Sequence, residues 1–571
     1  MKYTLEKIKQ EIAEKINDFT GSELVQPADL AYPPNIQMGD LSLPCFVIAK
    51  NTGKNPAEVS SDLVSKFSAL VGENKKIASV FSAGPYLNFK LNKHNLCEEV
   101  INDTKEAEYG ANEIGEKQKV MIEFSNANTH KEFHVGHLRN LCYGDSARRI
   151  MNENGFEVLP VSYINDFGIH VAKTLWALQE FYKNDELPEN KGEFLGRVYV
   201  RSNKETKDDP HKNDLVKFMM KKIESKKGEE YELWKKTREW SIEQMQDIYK
   251  DFGIEFVKTY YESEVIDEGR EMIDDLLEKG ILKMSQGAVI ADLEQFDLGV
   301  LVFLRSDGTA TYPVADIPLA MKKFKDFELD ASIYVVDVRQ ELYFKQLFRV
   351  LKQMGYKKPM IHLGYDFVTL PDGMMSSRSG NVVTYEELKK MLEERIEEET
   401  KSRHSDWDQQ KVDVVKKALT KAVIKFEMLK VGAKQTIVFD IEKALSFQGF
   451  TAAYLLYTCA RINSIISKSD ISKDKITEHD LNKNLNEEKE HEIVIKMAKY
   501  PDMVKLAGQN YDPSVIAKYV FELAQEFNDY YHAVKINDSE EKEARLALSL
   551  AVLRVLEKAL SLLGIETIEE M

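Results

Sequence analysis

The chain opens with "MKYTLEKIKQEIAEKIND", in which Leu5, Ile8, Ile12 and Ile16 recur at helical spacing among charged residues. That pattern predicts an amphipathic helix. Pro- and Gly-marked turns follow, and "ASVFSAGPYLNFKL" reads as a strand, a Gly-Pro turn and a second strand. A polar linker runs roughly to Gln118. Beyond it the pattern changes. "VMIEF" (Val120 to Phe124) is a short apolar run of the kind that forms a buried strand. A turn-rich loop comes next, then a helix from about His134 to Asn154, with Gly155 placed to end it. "FEVLPVSYI" is a second strand. Strand, helix and strand in this order predict a βαβ unit and the start of a parallel sheet. "VLVFL" before Arg305, "SIYVV" before Asp337 and "MIHLGY" are further strand candidates, and a charged, mainly helical insertion is expected from about Asn184 to Glu264. From about Tyr385 onward the pattern is almost wholly helical. Asp512-Pro513 opens one helix, carrying Leu523, Phe527 and Tyr531, and the last helix ends at Gly564.

The expected fold class is therefore α/β: a Rossmann-type parallel-sheet domain, with an α+β N-terminal domain and an all-α C-terminal helical bundle. The boundaries read as 1–93 for the N-terminal domain, 94–117 for a linker, 118–384 for the sheet domain with its insertion at about 184–264, and 385–571 for the bundle.

Composition narrows the class. At 571 residues and 43% hydrophobic content the chain is long enough for several domains. No apolar run approaches the roughly 20 residues a bilayer needs. The first residues lack an apolar signal core and carry glutamates, so a cytoplasmic protein is expected. Cys45, Cys97, Cys142 and Cys459 are too far apart in sequence for a metal pair or a CxxC motif, and no metal site is expected. The net charge of −17 speaks against a general nucleic-acid binder. One segment is nevertheless basic: "KKALTKAVIKFEMLKVGAK" carries Lys417, Lys421 and Lys425 at every fourth position. Such a stripe is either a solvated helix face or a surface for a phosphate backbone.

Candidate chemistry concentrates in "EFSNANTHKEFHVGHLRN", Glu123 to Asn140. His134 and His137 lie three apart at a helix start and project on one face. Gly136 between them leaves the backbone open to a close ligand. The helix N-terminus already favours anions, and two imidazoles there could donate to phosphate oxygens as charge develops on them. A zinc site fits poorly, because HExxH spaces its histidines four apart around a glutamate. Packed histidines without chemistry are the remaining alternative. His130 has no assigned role and reads as a solvent-facing loop residue.

At this point a resemblance enters. "HVGH" after a first strand looks like the "HIGH" signature of class I aminoacyl-tRNA synthetases. The longer stretch is similar to the arginyl-tRNA synthetase pattern "EFSSPNxxKPFHVGHLRS", with Glu123, Asn128, Lys131, His134, Gly136 and His137 in register. "SDGTATYPVADIPLA" and "YVVDVRQELYFKQLF" resemble two further blocks of that family. "SFQGFTAAYLLYTCARI" and "SLLGIETIEEM" resemble its C-terminal domain, and "GDLSLP" with "AGPYLNFKL" its N-terminal domain. The resemblance covers essentially the whole chain.

It implies that L-arginine is activated by ATP, accompanied by Mg²⁺, and transferred to the 3'-terminal adenosine of tRNA(Arg). His134, Gly136 and His137 would contact ATP, with His134, His137, Lys131 and Arg378 as the catalytic set. Glu123, Asn128, Tyr312, Asp316 and Gln340 would bind arginine. Asp316 supplies the carboxylate that a planar, permanently charged guanidinium can grip in a two-bonded fork. The N-terminal domain would meet the tRNA elbow and the C-terminal bundle its anticodon, with Tyr454, Tyr457 and Arg461 as tRNA-binding candidates. A monomer is expected.

The sequence departs from the family in two places. The second class I signature, "KMSKS", should lie in "GMMSSRSGNVVT", where Met375, Ser376, Ser377 and Arg378 are the expected ATP contacts. Met374 and Ser379 replace the lysines of the family's "GKMSSRKGNVVT", which leaves Arg378 as the motif's cation, with Lys131 expected to assist it. "VSYINDFGIH" stands where the family reads "NYxGDWGxQ": Asp166 and Gly168 remain, while Ser162, Asn165, Phe167 and His170 are substitutions. Another class I synthetase, or a tRNA-binding relative with impaired catalysis, are the alternative readings.

Overall fold

The computed structural model describes residues 2–71, 76–369, 371, 383–478 and 485–571. The first helix, Thr4–Thr20, buries Leu5, Ile8, Ile12 and Ile16 as its periodicity requires, and Gly21 closes it in the left-handed conformation. The strand pair around Gly84 forms as expected: Ile77–Ala83 runs antiparallel to Tyr86–Leu91, which also pairs with Leu41–Pro44.

The centre of the molecule is a five-stranded parallel sheet. Its strands are β1 (Lys119–Glu123), β2 (Glu157–Ile164), β3 (Lys258–Tyr261), β4 (Ala331–Asp337) and β5 (Met360–Tyr365), in the spatial order β5-β4-β1-β2-β3. All four pairings are parallel. This is the doubly wound order, and the chain reverses its direction of travel between β1 and β4. In such sheets ligands bind outside the carboxyl ends of the strands at the reversal. Glu123 ends β1 and Asp337 ends β4. The helix Val135–Glu153 leaves the loop after β1.

Two strand expectations change. "VLVFL" forms a strand, Val300–Leu304, but in a separate antiparallel sheet with Lys283–Ser285 and Ala288–Asp292. Its alternation explains this: Leu301 and Phe303 are buried whereas Val300 and Val302 are exposed, the mark of a one-sided strand rather than one covered on both faces. The fifth parallel strand is β3, inside the stretch expected to be a helical insertion. Four residues, "KTYY", carry too little pattern to announce a strand. The helical part of that stretch is Lys191–Thr206, Pro210–Glu224 and Glu229–Asp251. These helices share a small core of their own, in which Leu195, Val198, Ile223 and Trp234 meet Val171 and Leu175.

The lysine stripe also changes. Lys417 is exposed, but Lys425 is buried in the helix Gln409–Leu429. Its ammonium donates to the Phe252 carbonyl at 2.8 Å and to the Gly564 carbonyl. Phe252 caps the C-terminus of Glu229–Asp251, where a cation answers the helix dipole. The fourth-residue spacing therefore records one internal tie and not a continuous surface.

Candidate active site

His134 is the N-cap of the helix Val135–Glu153, and its Nδ1 accepts the backbone N–H of Gly136 at 3.1 Å. The Nδ1 of His137 accepts the backbone N–H of His134, also at 3.1 Å. The two rings stack with centroids 3.8 Å apart, and His137 packs against Phe133 at 4.9 Å. Because each Nδ1 is an acceptor, each ring carries its proton on Nε2 and offers one outward donor. Burial, and after it the charge of Lys131, pushes the His134 pKa down to about 4. Burial, His134 and Lys131 together hold His137 well below the ordinary value. The pair is thus neutral at physiological pH, donating without the cost of desolvating a cation. Gly136 is required here, since an added Cβ would lie 2.9 Å from the His134 ring. The Lys131 ammonium lies 5.3 Å from the centroid of Tyr199 in the inserted helices.

The loop is fixed from behind by a residue the sequence left without a role. His130 is fully buried, not solvent-facing, and adopts a positive φ of 61°. Its ring nitrogens lie 2.9 Å from Thr129 Oγ1 and 2.8 Å from Thr237 Oγ1, and its backbone N–H donates to Ser241 Oγ at 2.9 Å. Thr237 and Ser241 belong to the helix Glu229–Asp251, which thereby positions the histidine loop. On the opposite side, Val135 N–H donates to Val383 C=O and Tyr385 N–H to Phe133 C=O, at 3.2 and 2.8 Å. The chain leaving the second signature is therefore held against His134. That signature, with Met375, Ser376, Ser377 and Arg378, lies outside the described residues.

The guanidinium candidate, Asp316, sits in the helix Tyr312–Phe327. Its Oδ2 accepts the Tyr343 hydroxyl. Burial pushes its pKa up to about 7 against that hydrogen bond, with the charge of Glu123 adding to the rise. Beside it stands Glu262, at the end of β3, which sequence reasoning missed. Glu262 Oε2 is buried without a hydrogen-bond partner, and burial, then Asp316 and Asp166, push its pKa up to about 8. Asp166 is otherwise occupied, with Arg238 Nε at 2.5 Å and the Ser263 N–H and hydroxyl at 2.9 and 2.7 Å. Among the described residues, neither Asp316 nor Glu262 is ion-paired. Two neighbouring half-satisfied carboxyl groups could be answered by a cation with several donors.

The other candidates divide. Tyr312 opens the Asp316 helix, one turn before Asp316, and is 68% exposed. Gln340 is exposed at the start of the helix Glu341–Gln353, three residues before Tyr343. Asn128 is partly exposed and bridged to Asn165 past the end of β2. Glu123 faces inward. One of its oxygens is ion-paired with the buried Lys323, and the other accepts Asn126 Nδ2 at 3.1 Å. Lys323 was also missed, although it lies seven residues after Asp316, two turns along the same helix face.

In the C-terminal bundle an open groove of about 1450 Å³ is lined by Tyr457, Arg461, Lys468, Tyr531, Lys535 and Trp407, among others. The Arg461 guanidinium lies 4.8 Å from the Tyr457 ring centroid and 5.1 Å from that of Tyr531. Tyr454 instead turns toward the packing, accepting Asn528 Nδ2 at 2.9 Å and meeting Phe521 at 5.4 Å. All four cysteines are buried and unpaired, and among the described residues no cluster of three or more ligating side chains could hold a metal.

Comparison with known proteins agrees with this geometry. Residues 100–441 match the model for the class I (R) tRNA synthetase catalytic domain, residues 455–571 the DALR anticodon binding domain, and residues 6–91 the arginyl tRNA synthetase N-terminal domain. The chain is 36% identical to an arginine--tRNA ligase of Bdellovibrio bacteriovorus over 99% of its own length and 98% of the relative's. It is 33% identical to that of Halothermothrix orenii over 99% of both. In fold it is similar to the arginyl-tRNA synthetase of Thermus thermophilus, with a TM-score of 0.80, 24% identity and full coverage of both chains. A histidine pair at a helix start, a doubly wound sheet behind it and matches running from residue 6 to residue 571 lead to one assignment: the chain belongs to the arginyl-tRNA synthetase family.

Proposed function

We propose that the protein is an arginine--tRNA ligase. It joins L-arginine to ATP as arginyl-adenylate, releasing pyrophosphate, and passes the arginyl group to the 3'-terminal adenosine of tRNA(Arg). The observation that carries the substrate choice is the pair Asp316 and Glu262, two neighbouring buried carboxyl groups of which neither is in a salt bridge among the described residues. A guanidinium has five donors in a rigid plane and can satisfy both. A lysine ammonium cannot fill that fork and leaves buried acceptors unpaired, a mismatch that supports discrimination on the order of 10⁴.

In the first step the arginine carboxylate attacks the α-phosphorus of ATP, and the bond to pyrophosphate breaks. The Nε2–H groups of His134 and His137 donate to phosphate oxygens as charge moves onto them. Asn128, Tyr312 and Gln340 line the route from the nucleotide to the pocket. Lys131 and Arg378 supply positive charge for the pyrophosphate end. The remaining work is positioning, with no covalent bond to a side chain. Mg²⁺ would accompany ATP as part of the substrate and share the charge of its phosphates. In the second step a ribose hydroxyl of the terminal adenosine attacks the adenylate carbonyl and AMP leaves.

For tRNA, the groove that holds Tyr457, Arg461 and Tyr531 offers stacking faces and cations to an unpaired loop. The N-terminal domain serves the tRNA elbow. The protein acts as a monomer in the cytoplasm; no described helix is long and apolar enough to cross a membrane. The test is pyrophosphate exchange into ATP with tRNA present. Exchange that depends on arginine and fails with lysine supports the proposal. Tight tRNA binding without exchange for any amino acid favours the impaired relative instead.

A further inference from the structure

Among the described residues, Lys323 is the cation whose charge acts on Asp316. Lys323 is completely buried, and its ammonium is ion-paired with Glu123, itself 3% exposed. The same ammonium lies 4.5 Å from the ring centroid of Tyr334 and 6.0 Å from that of Tyr260. Burial works against its charge, yet Glu123, with Tyr334, holds its pKa above the ordinary lysine value. Lys323 shares its helix with Asp316, and each acts on the other: Lys323 lowers the pKa of Asp316, whereas Glu123 raises it.

We infer that Lys323 is a positioning residue of the arginine pocket: it neutralises Glu123, so that the charge an incoming guanidinium meets is that of Asp316 and Glu262. This rests on the reading of the site as an arginine pocket. The physical argument is a count of charges. Glu123, Asp316 and Glu262 would place three carboxylates around one substrate cation. Coulomb repulsion at low dielectric would then drive protons onto the group that should grip the substrate. A fixed lysine removes one charge permanently, because its own charge is spent on Glu123. The groups facing Lys323 are Glu123 from β1, Tyr334 from β4, Tyr260 from β3 and Asp316 from its own helix. Among them only Glu123 is within salt-bridge distance of the ammonium.

The experiment is a double-mutant cycle read as KM for arginine, alongside KM for ATP and kcat, in the full-length protein with tRNA. Lys323→Met is expected to raise the arginine KM about tenfold or more, with the ATP KM changed less than about twofold. In the Glu123→Gln background the same lysine substitution is expected to change the arginine KM by less than about threefold, because no charge remains to neutralise. Lys323→Arg is expected to retain most of the wild-type value. If Lys323→Met alone fails to fold while Lys323→Met with Glu123→Gln folds and charges arginine, the inference is supported by that route. Equal effects of the lysine substitution in both backgrounds would overturn it, as would an unchanged arginine KM in folded Lys323→Met, or failure of the double variant to fold. Wild-type protein that does not use arginine at all would instead refute the pocket reading, a separate result.

Discussion

The ring of His137 accepts the backbone N–H of His134 at its Nδ1, 3.1 Å away, which commits its proton to Nε2. The Gly136 N–H does the same for His134. The helix that carries the signature thus fixes the tautomer of both imidazoles before any nucleotide arrives. Nitrogen-15 spectra should show both rings neutral and Nε2-protonated at pH 6.5, and His134 should take up a proton only near pH 4. An imidazolium at pH 6.5 would contradict the donor role described here.

On the proposed mechanism, replacing either ring removes a donor to the developing phosphate charge. His134→Ala and His137→Ala should each slow adenylate formation by about 10²–10³-fold, the range for one transition-state donor. Arginine binding, measured separately, should change little. A comparable loss of arginine affinity would mean that these histidines shape the amino-acid pocket instead.

The carboxylates of the pocket predict a pH dependence. Asp316 is pushed up to about 7 and Glu262 to about 8, whereas arginine remains a cation throughout. Arginine affinity should therefore rise as pH increases from about 6 to about 8.5. Both pKa values are raised above those of the unfolded chain, so the free protein binds extra protons when folded. These two groups should therefore withdraw stability as pH rises from about 4, the unfolded carboxyl value, to about 8, with no further loss above it. Tyr343→Phe removes a hydrogen bond that holds Asp316 down, so it should move the affinity profile to higher pH and weaken arginine several-fold. Titration calorimetry with arginine across this range checks both statements.

Glu262→Gln separates binding from folding. It removes a buried charge with an unpartnered oxygen, so the free protein should gain thermal stability above about pH 8. Arginine affinity should drop by about tenfold or more, the cost of one charge-assisted contact. Unchanged affinity would exclude Glu262 from the pocket.

His130 makes a prediction of opposite sign. Burial pushes its pKa down to about 3, below the value of about 6.5 in the unfolded chain. Between these limits the unfolded state binds the extra proton, so His130 withdraws stability as pH falls from about 6.5 toward 3. His130→Gln should lose less stability than wild type between pH 7 and pH 5. Thr237→Val, which removes its hydroxyl partner, should cost about 1–2 kcal/mol and also slow adenylate formation through the loop.

These residues also show what the sequence could and could not convey. The signature was legible because its chemistry is local. His134, Gly136 and His137 sit within four residues at a helix start, and the β1–helix–β2 unit around them follows from periodicity. Asp316 is proposed through resemblance, since nothing in its sequence neighbours marks it as a binding residue. Glu262 and Lys323 were missed because their meaning is tertiary. Glu262 follows a four-residue strand that lies far in sequence from Asp316, and Lys323 reads as one lysine among several in "MKKFKDF" until β1 brings Glu123 beside it. His130 was misjudged for the same reason: its burial depends on Thr237 and Ser241, more than a hundred residues away. "VLVFL" was legible as a strand, but its sheet was not, because an apolar run predicts a strand without naming its partners.

The account stands most directly on one measurement: charging of unfractionated tRNA with each of the twenty amino acids separately, in the presence of ATP and Mg²⁺. Charging with arginine alone, abolished by Asp316→Ala, is the predicted result. Charging with another amino acid, or arginine charging that survives Asp316→Ala, would contradict the pocket described here.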